Sequence, residues 1–243
     1  MKKIFLLLTL LVFSANSFAH MMWLETSPTG KTNQKQQVKV FFGEYAEGLF
    51  EKTAGESFNK VKKFTLWAVA PNGEKTKLET TAADTYYSAY FVPTTNGTYT
   101  IVLDNNEIDV LDFTKYNFGI FKTHYHCISK VEVGTKTNET AAINPDGLTL
   151  VDVSKTLHKL NGQVALKVLY KGKILKDKEV DVLLKDHWSK KVKTDSDGLI
   201  KFDLPWNTNY VVEVTNKEEV PGKYNGLDYQ FIWHSTSYLI SLK

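Results

Sequence analysis

Three histidines carry most of the chemistry legible in this chain: His20, and the pair His124 and His126 on either side of Tyr125. In an extended strand residues i and i+2 point to one side, so the rings of His124 and His126 can turn toward one ion. Cys127, the single cysteine, then points the other way and reads as a small buried apolar residue. A histidine at a free chain start offers an α-amine, with a pKa of about 7.7 to 8.0, beside its imidazole. The two close on one ion as a chelate, and nitrogen donors of this kind suit Cu(II), Ni(II) and Zn(II). Glu44 and His234 complete the set of candidate ligands, although His234, between Trp233 and Ser235, also reads as a packed core or rim histidine.

His20 acquires that α-amine only if the residues before it are removed. Lys2 and Lys3, the apolar run Ile4 to Phe13, and the small residues Ser17 and Ala19 read as a signal peptide over residues 1–19, cut after Ala19. The run is too short to span a bilayer, and no later stretch is long and apolar enough for a transmembrane segment. No cysteine follows it for acylation. The expected product is a soluble periplasmic or secreted protein. Removing Lys2 and Lys3 lowers the formal net charge from +3 to about +1, and the chain has no arginine. Nucleic-acid binding is therefore excluded as a class, since it leans on bidentate Arg and concentrated positive charge. With one cysteine no intramolecular disulfide forms, so stability rests on apolar cores or a bound metal.

The elements that must hold these residues are strands. A chain of 243 residues, 42% hydrophobic and 23% charged, buries a sizeable core, and no helical apolar period is sustained anywhere after residue 20. Extended runs are expected at Gln37 to Phe42, Phe64 to Ala70, Tyr86 to Val92, Gly97 to Leu103 and His126 to Val133, with Pro71-Asn72-Gly73 as a turn. A second series follows at Gly147 to Val153, Gly162 to Tyr170, Glu179 to Leu184, Leu199 to Asp203 and Tyr210 to Val214. The predicted fold is all-β: an Ig-like β-sandwich over residues 20–134, a polar linker over 135–145, and a prealbumin-like β-sandwich over 146–243. One stretch, Gly43 to Lys52, breaks the rhythm with three carboxylates and reads as a long loop or a single helical turn, either solvated or facing a ligand.

Val168-Leu169-Tyr170, Lys171-Gly172-Lys173, Val180-Asp181-Val182 and Thr194-Asp195-Ser196-Asp197-Gly198 make the second half resemble the prealbumin-like or carboxypeptidase-regulatory-like sandwich. The opening His20-Met21-Met22-Trp23-Leu24, the run Val38 to Gly43 and the tail Pro221 to Gly226 with Thr236 to Leu242 resemble exported bacterial proteins of a domain family of unknown function, labelled nickel-uptake or NikM-like. That resemblance implies a periplasmic location, two β-domains, and transition-metal handling with no established enzyme activity. The resulting expectation is a non-enzymatic metal-binding protein for uptake or delivery, with a membrane transport system as its partner. A copper-dependent oxidative enzyme with a His-chelate site and a metal-free ligand-binding or structural module are the alternatives. Tyr86, Tyr87, Tyr90, Trp206, Tyr210, Tyr224, Tyr229 and Trp233 supply the aromatics that a ligand groove would need. His158 and His187 read as solvated, and Asp186-His187-Trp188 lacks any nucleophile context.

Overall fold

The computed structural model describes residues 20–134, 144–154, 158–186 and 188–242, and it is nearly all β. Alternation sets the strands. Leu66 and Ala68 turn inward from Thr65–Val69, Val180, Val182 and Leu184 from Glu179–Leu184, and Ile200 and Phe202 from Leu199–Asp203. Polar side chains close the turns between them. The Asn72 side-chain oxygen accepts from the Glu74 amide at 3.1 Å, and Asp195 Oδ1 accepts from the Asp197 and Leu199 amides at 2.9 Å each. Gly198, at φ +69°, ends the second of these turns where a Cβ would stand 2.6 Å from Ile174 Cγ2.

A five-stranded sheet runs in the order Met21–Thr26, Gln36–Glu44, Tyr87–Phe91 and Thr80–Ala82, with the short Leu49–Phe50 paired to the end of Gln36–Glu44. A ten-stranded sheet faces it. Its path is Trp188–Lys193, Glu179–Leu184, Tyr210–Glu218, Phe231–Ile240, Ile120–Val133, Gly97–Asn105, Thr65–Val69 and Lys75–Lys77. Four of these strands come from each half of the chain. They join where Ile120–Val133 and Phe231–Ile240 lie parallel, with His124 opposite His234 and Cys127 opposite Ser237. A third sheet, centred on Gln163–Tyr170, covers the second half.

Two main cores form, the second of which takes Ile128 from the first half's long strand. Met22, Leu24, Val40, Leu66, Ile101 and Val131 belong to the first, and Ile128, Leu150, Leu166, Val182, Val212 and Tyr238 to the second. A third cluster of Met21, Trp23, Phe41, Tyr45, Val211 and Leu239 draws on both. Two sandwiches strung in series thus become two cores that share one sheet. The cause is the last strand, which adds to the edge of the first half's long strand as well as to its own neighbour Tyr210–Glu218. Of the linker expected at 135–145, residues 135–143 lie outside the described residues. A six-residue helix, Glu56–Val61, was not expected; it contributes Phe58 and Val61 to the first core, and so short a segment carries no readable apolar period.

Candidate functional site

The first strand pairs antiparallel with Gln36–Glu44, Met21 opposite Gly43, and this register carries His20 alongside Glu44. On the other side of Gly43 the chain folds back through a tight turn, so that Phe50 pairs with Gly43 and the Glu51 amide donates to the Phe42 carbonyl at 2.9 Å. Gly43 makes this possible. At φ +145° a Cβ there would stand 2.1 Å from the Leu49 carbonyl oxygen. The acidic stretch is therefore a strand end, a turn and a two-residue strand, and two of its three carboxylates face His20.

His20 Nε2 donates to Glu51 Oε1 at 2.7 Å, and Nδ1 stands 3.3 Å from Glu44 Oε1. The ring packs against Phe42 at 5.3 Å between centroids, and the half-buried Tyr125 hydroxyl donates to the His20 carbonyl at 3.0 Å. Burial pushes the Glu44 carboxyl above its ordinary range; His20 draws it down, while Glu47 and Glu51 raise it. With its proton on Nε2 a neutral imidazole presents a lone pair at Nδ1. That nitrogen and the Glu44 carboxyl face each other at 3.3 Å.

The long strand Ile120–Val133 separates His20 from the other histidines. Its odd residues Tyr125 and Cys127 pack against the first core and the first strand, and Cys127 Sγ donates to the Met22 carbonyl at 3.2 Å. Burial pushes this thiol up to about 12, so Cys127 is the inert buried residue expected. By alternation His124 and His126 project to the opposite face, that of Ile128 in the second core. The structure thus does not bring His20 together with the His124–His126 pair.

Nor do His124 and His126 share one partner. His126 Nδ1 meets Asp104 Oδ1 at 2.7 Å, whereas His124 lies edge-to-face with His234 at 5.1 Å between ring centroids. His234 Nε2 in turn donates to Glu218 Oε2 at 2.9 Å, and Tyr170 and Lys171 also contact this group. Burial, then His234 and Lys122, push His124 down to about 4. Burial raises the Glu218 carboxyl, but Lys171, Tyr170 and His234 outweigh it and bring it to about 2. His234 is a buried member of this polar cluster. Among the described residues no set of three or more His, Cys, Asp or Glu side chains is arranged to hold a metal ion.

His158 is not solvated: its Nε2 donates to Asp152 Oδ2 at 3.0 Å, while His187 lies outside the described residues. The aromatics proposed for a groove disperse. Tyr86 packs on Phe41, Tyr87 on Phe58 and Phe64, Trp206 on Trp188 and Trp233 on Phe118, and Tyr210 is buried in the second core. A groove of about 560 Å³ beside Leu78, Phe91 and Tyr99 includes Tyr90 alone of that set. Glu51 joins Glu44 at this ring, and its signal in the sequence is the carboxylate count of the stretch 43–52.

A family model described as a domain of unknown function, DUF4198, matches residues 17–218 of the chain. No curated protein matches it. Among solved structures the chain is similar to a DUF4785 family protein from Legionella pneumophila, at 10% identity and a TM-score of 0.28. That match covers 78% of this chain and 50% of the other, so the chain spans about half the length of the Legionella protein.

Proposed function

The chain belongs to the DUF4198 family, a domain family of unknown function, and from the surroundings of His20 we propose that it is an exported, non-enzymatic protein that binds one divalent transition-metal ion for uptake or delivery. One observation carries this reading: His20 Nδ1 and Glu44 Oε1 face each other at 3.3 Å, and cleavage after Ala19 would turn the main-chain nitrogen of His20 into an amine. Two donors each about 2.1 Å from one tetrahedral ion lie roughly 3.4 Å apart. The spacing therefore fits two ligands of one ion as well as it fits an ion pair. The α-amine of His20 closes a six-membered chelate ring with Nδ1 and supplies a third donor.

Ni(II), Co(II), Cu(II) and Zn(II) all accept such a set of two nitrogens and one carboxylate oxygen, with a coordination position left for a receiving protein. A membrane transport system is the partner this reading calls for, in keeping with the resemblance to nickel-uptake proteins. No helix among the described residues is long and apolar enough to cross a membrane. His126 pairs with Asp104, and His124 lies against His234, which pairs with Glu218.

Thermal unfolding of the mature chain with each ion in turn tests the proposal. At an ion concentration about a hundredfold above the dissociation constant the fold gains about 2.7 kcal/mol, which raises the melting temperature by roughly 5 to 10 °C. The His20→Ala chain should show no shift, and Glu44→Gln a much reduced one. A His20→Ala chain that responds like the wild type would overturn the assignment, and indifference of the wild type to every ion would favour a metal-free binding or structural module.

A further inference from the structure

We infer that Glu51 is a positioning residue for metal capture: by accepting the Nε2 proton of His20, its carboxylate fixes the imidazole tautomer that leaves Nδ1 as the donor to the ion. This inference rests on the metal reading of the His20 site and deepens it. A terminal histidine closes its six-membered ring with the α-amine only through Nδ1, because Nε2 lies on the far side of the imidazole. A neutral imidazole carries one proton, so whichever nitrogen holds it is lost as a ligand. The 2.7 Å contact from Nε2 to Glu51 Oε1 holds the proton away from the chelate side.

The fold builds this contact deliberately into one short segment. Glu51 follows the strand Leu49–Phe50, which returns beside Gly43 only because a glycine stands there, and its own amide is fixed to the Phe42 carbonyl. Glu44 and Glu51 therefore reach the ring from two sides, one toward Nδ1 and one toward Nε2. Their roles divide accordingly: Glu44 faces the ion, and Glu51 faces away from it. A carboxylate behind a ligating imidazole also raises its basicity, and loss of such a partner typically costs 10- to 100-fold in metal affinity.

The test compares the mature wild type with Glu51→Ala and Glu51→Gln, using long-range proton–nitrogen correlation spectra of His20 in the metal-free chains and calorimetric titration with Zn(II) and Cu(II). The wild type should show His20 protonated at Nε2 and bare at Nδ1. Glu51→Ala should show a mixture of tautomers and a 10- to 100-fold weaker affinity, with the melting temperature of the metal-free chain little changed. Glu51→Gln, whose amide oxygen can accept the same proton, should recover the tautomer and part of the affinity. An Ala variant with wild-type tautomer and wild-type affinity overturns the role of Glu51 while leaving the metal site standing. A wild type that binds neither ion overturns both.

Discussion

Asp152→Ala lowers the stability of the folded chain by about 3 to 5 kcal/mol, the range for removing one partner from a buried charge network. The carboxylate sits where the two halves meet. It accepts from His158 Nε2 at 3.0 Å, the Tyr238 hydroxyl at 3.2 Å and the Ser154 amide at 2.9 Å, with Lys130 Nζ at 3.5 Å. Lys130 and Tyr238 come from the two parallel strands of the shared sheet, Ser154 and His158 from the segment that follows Leu148–Asp152, and Tyr238 is 1% exposed. Alanine leaves their polar groups facing a space that holds no acceptor. Denaturant unfolding at pH 7 measures the loss, and Asp152→Asn, which keeps the shape and one acceptor oxygen, should lose less. A change below about 1 kcal/mol for the alanine variant would show that the network is looser than its distances indicate.

The same carboxylate sets a limit in acid. Burial raises it, but His158, Lys130 and Ser154 outweigh burial and hold it well below the usual carboxylate range. A group whose folded pKa is depressed stabilises the fold above its unfolded value, about 3.9, and loses that contribution as the pH falls below it. The difference between wild type and Asp152→Ala should accordingly be full at pH 7 and shrink below about pH 4.

Glu213→Gln has the opposite pH signature and stabilises the fold by about 2 kcal/mol at pH 8. Glu213 lies on Tyr210–Glu218, half-buried on the side that faces the first strand, where the Ser235 hydroxyl donates to it at 2.8 Å. Burial, reinforced by Asp181 and opposed by Ser235 and Lys191, pushes its carboxyl up to about 7. A carboxyl raised in the folded state favours folding below its unfolded pKa, near 4.5, and that advantage is lost as the pH rises through about 7. Glutamine keeps the acceptor for Ser235 and never ionises. Wild type and variant should match near pH 4.5 and diverge up to pH 8, with partial exposure holding the gap below the full value of the shift. A gap independent of pH would contradict the placement of this group.

Local features of the fold were legible in the sequence because they are local. The alternation in Thr65–Val69 and Glu179–Leu184, the Asn72-Gly73 and Asp195–Gly198 turns, and the burial of Cys127 each depend on a few consecutive residues. The shared sheet does not. Nothing within Phe231–Ile240 announces that its second neighbour is Ile120–Val133, since that pairing joins strands from the two halves of the chain. The candidate site divides along the same line. His20 and Glu44 were readable as ligand types, whereas the partners of His124 and His126 depended on the long-range pairing of their strand. Glu51 emerged only once the hairpin register had brought it beside Phe42.

The central claim, that the ion is held by a chelate made at His20, is tested most directly by titrating Zn(II) and Cu(II) calorimetrically into two chains that differ by one residue. One begins at His20 and the other retains Ala19. The geometry predicts one tightly bound ion in the first chain and an affinity at least about 100-fold weaker in the second, because an amide nitrogen replaces the amine while Glu44, Glu51 and the His20 ring stay in place. Equal affinity in the two chains, or no binding to the chain that starts at His20, would contradict the account.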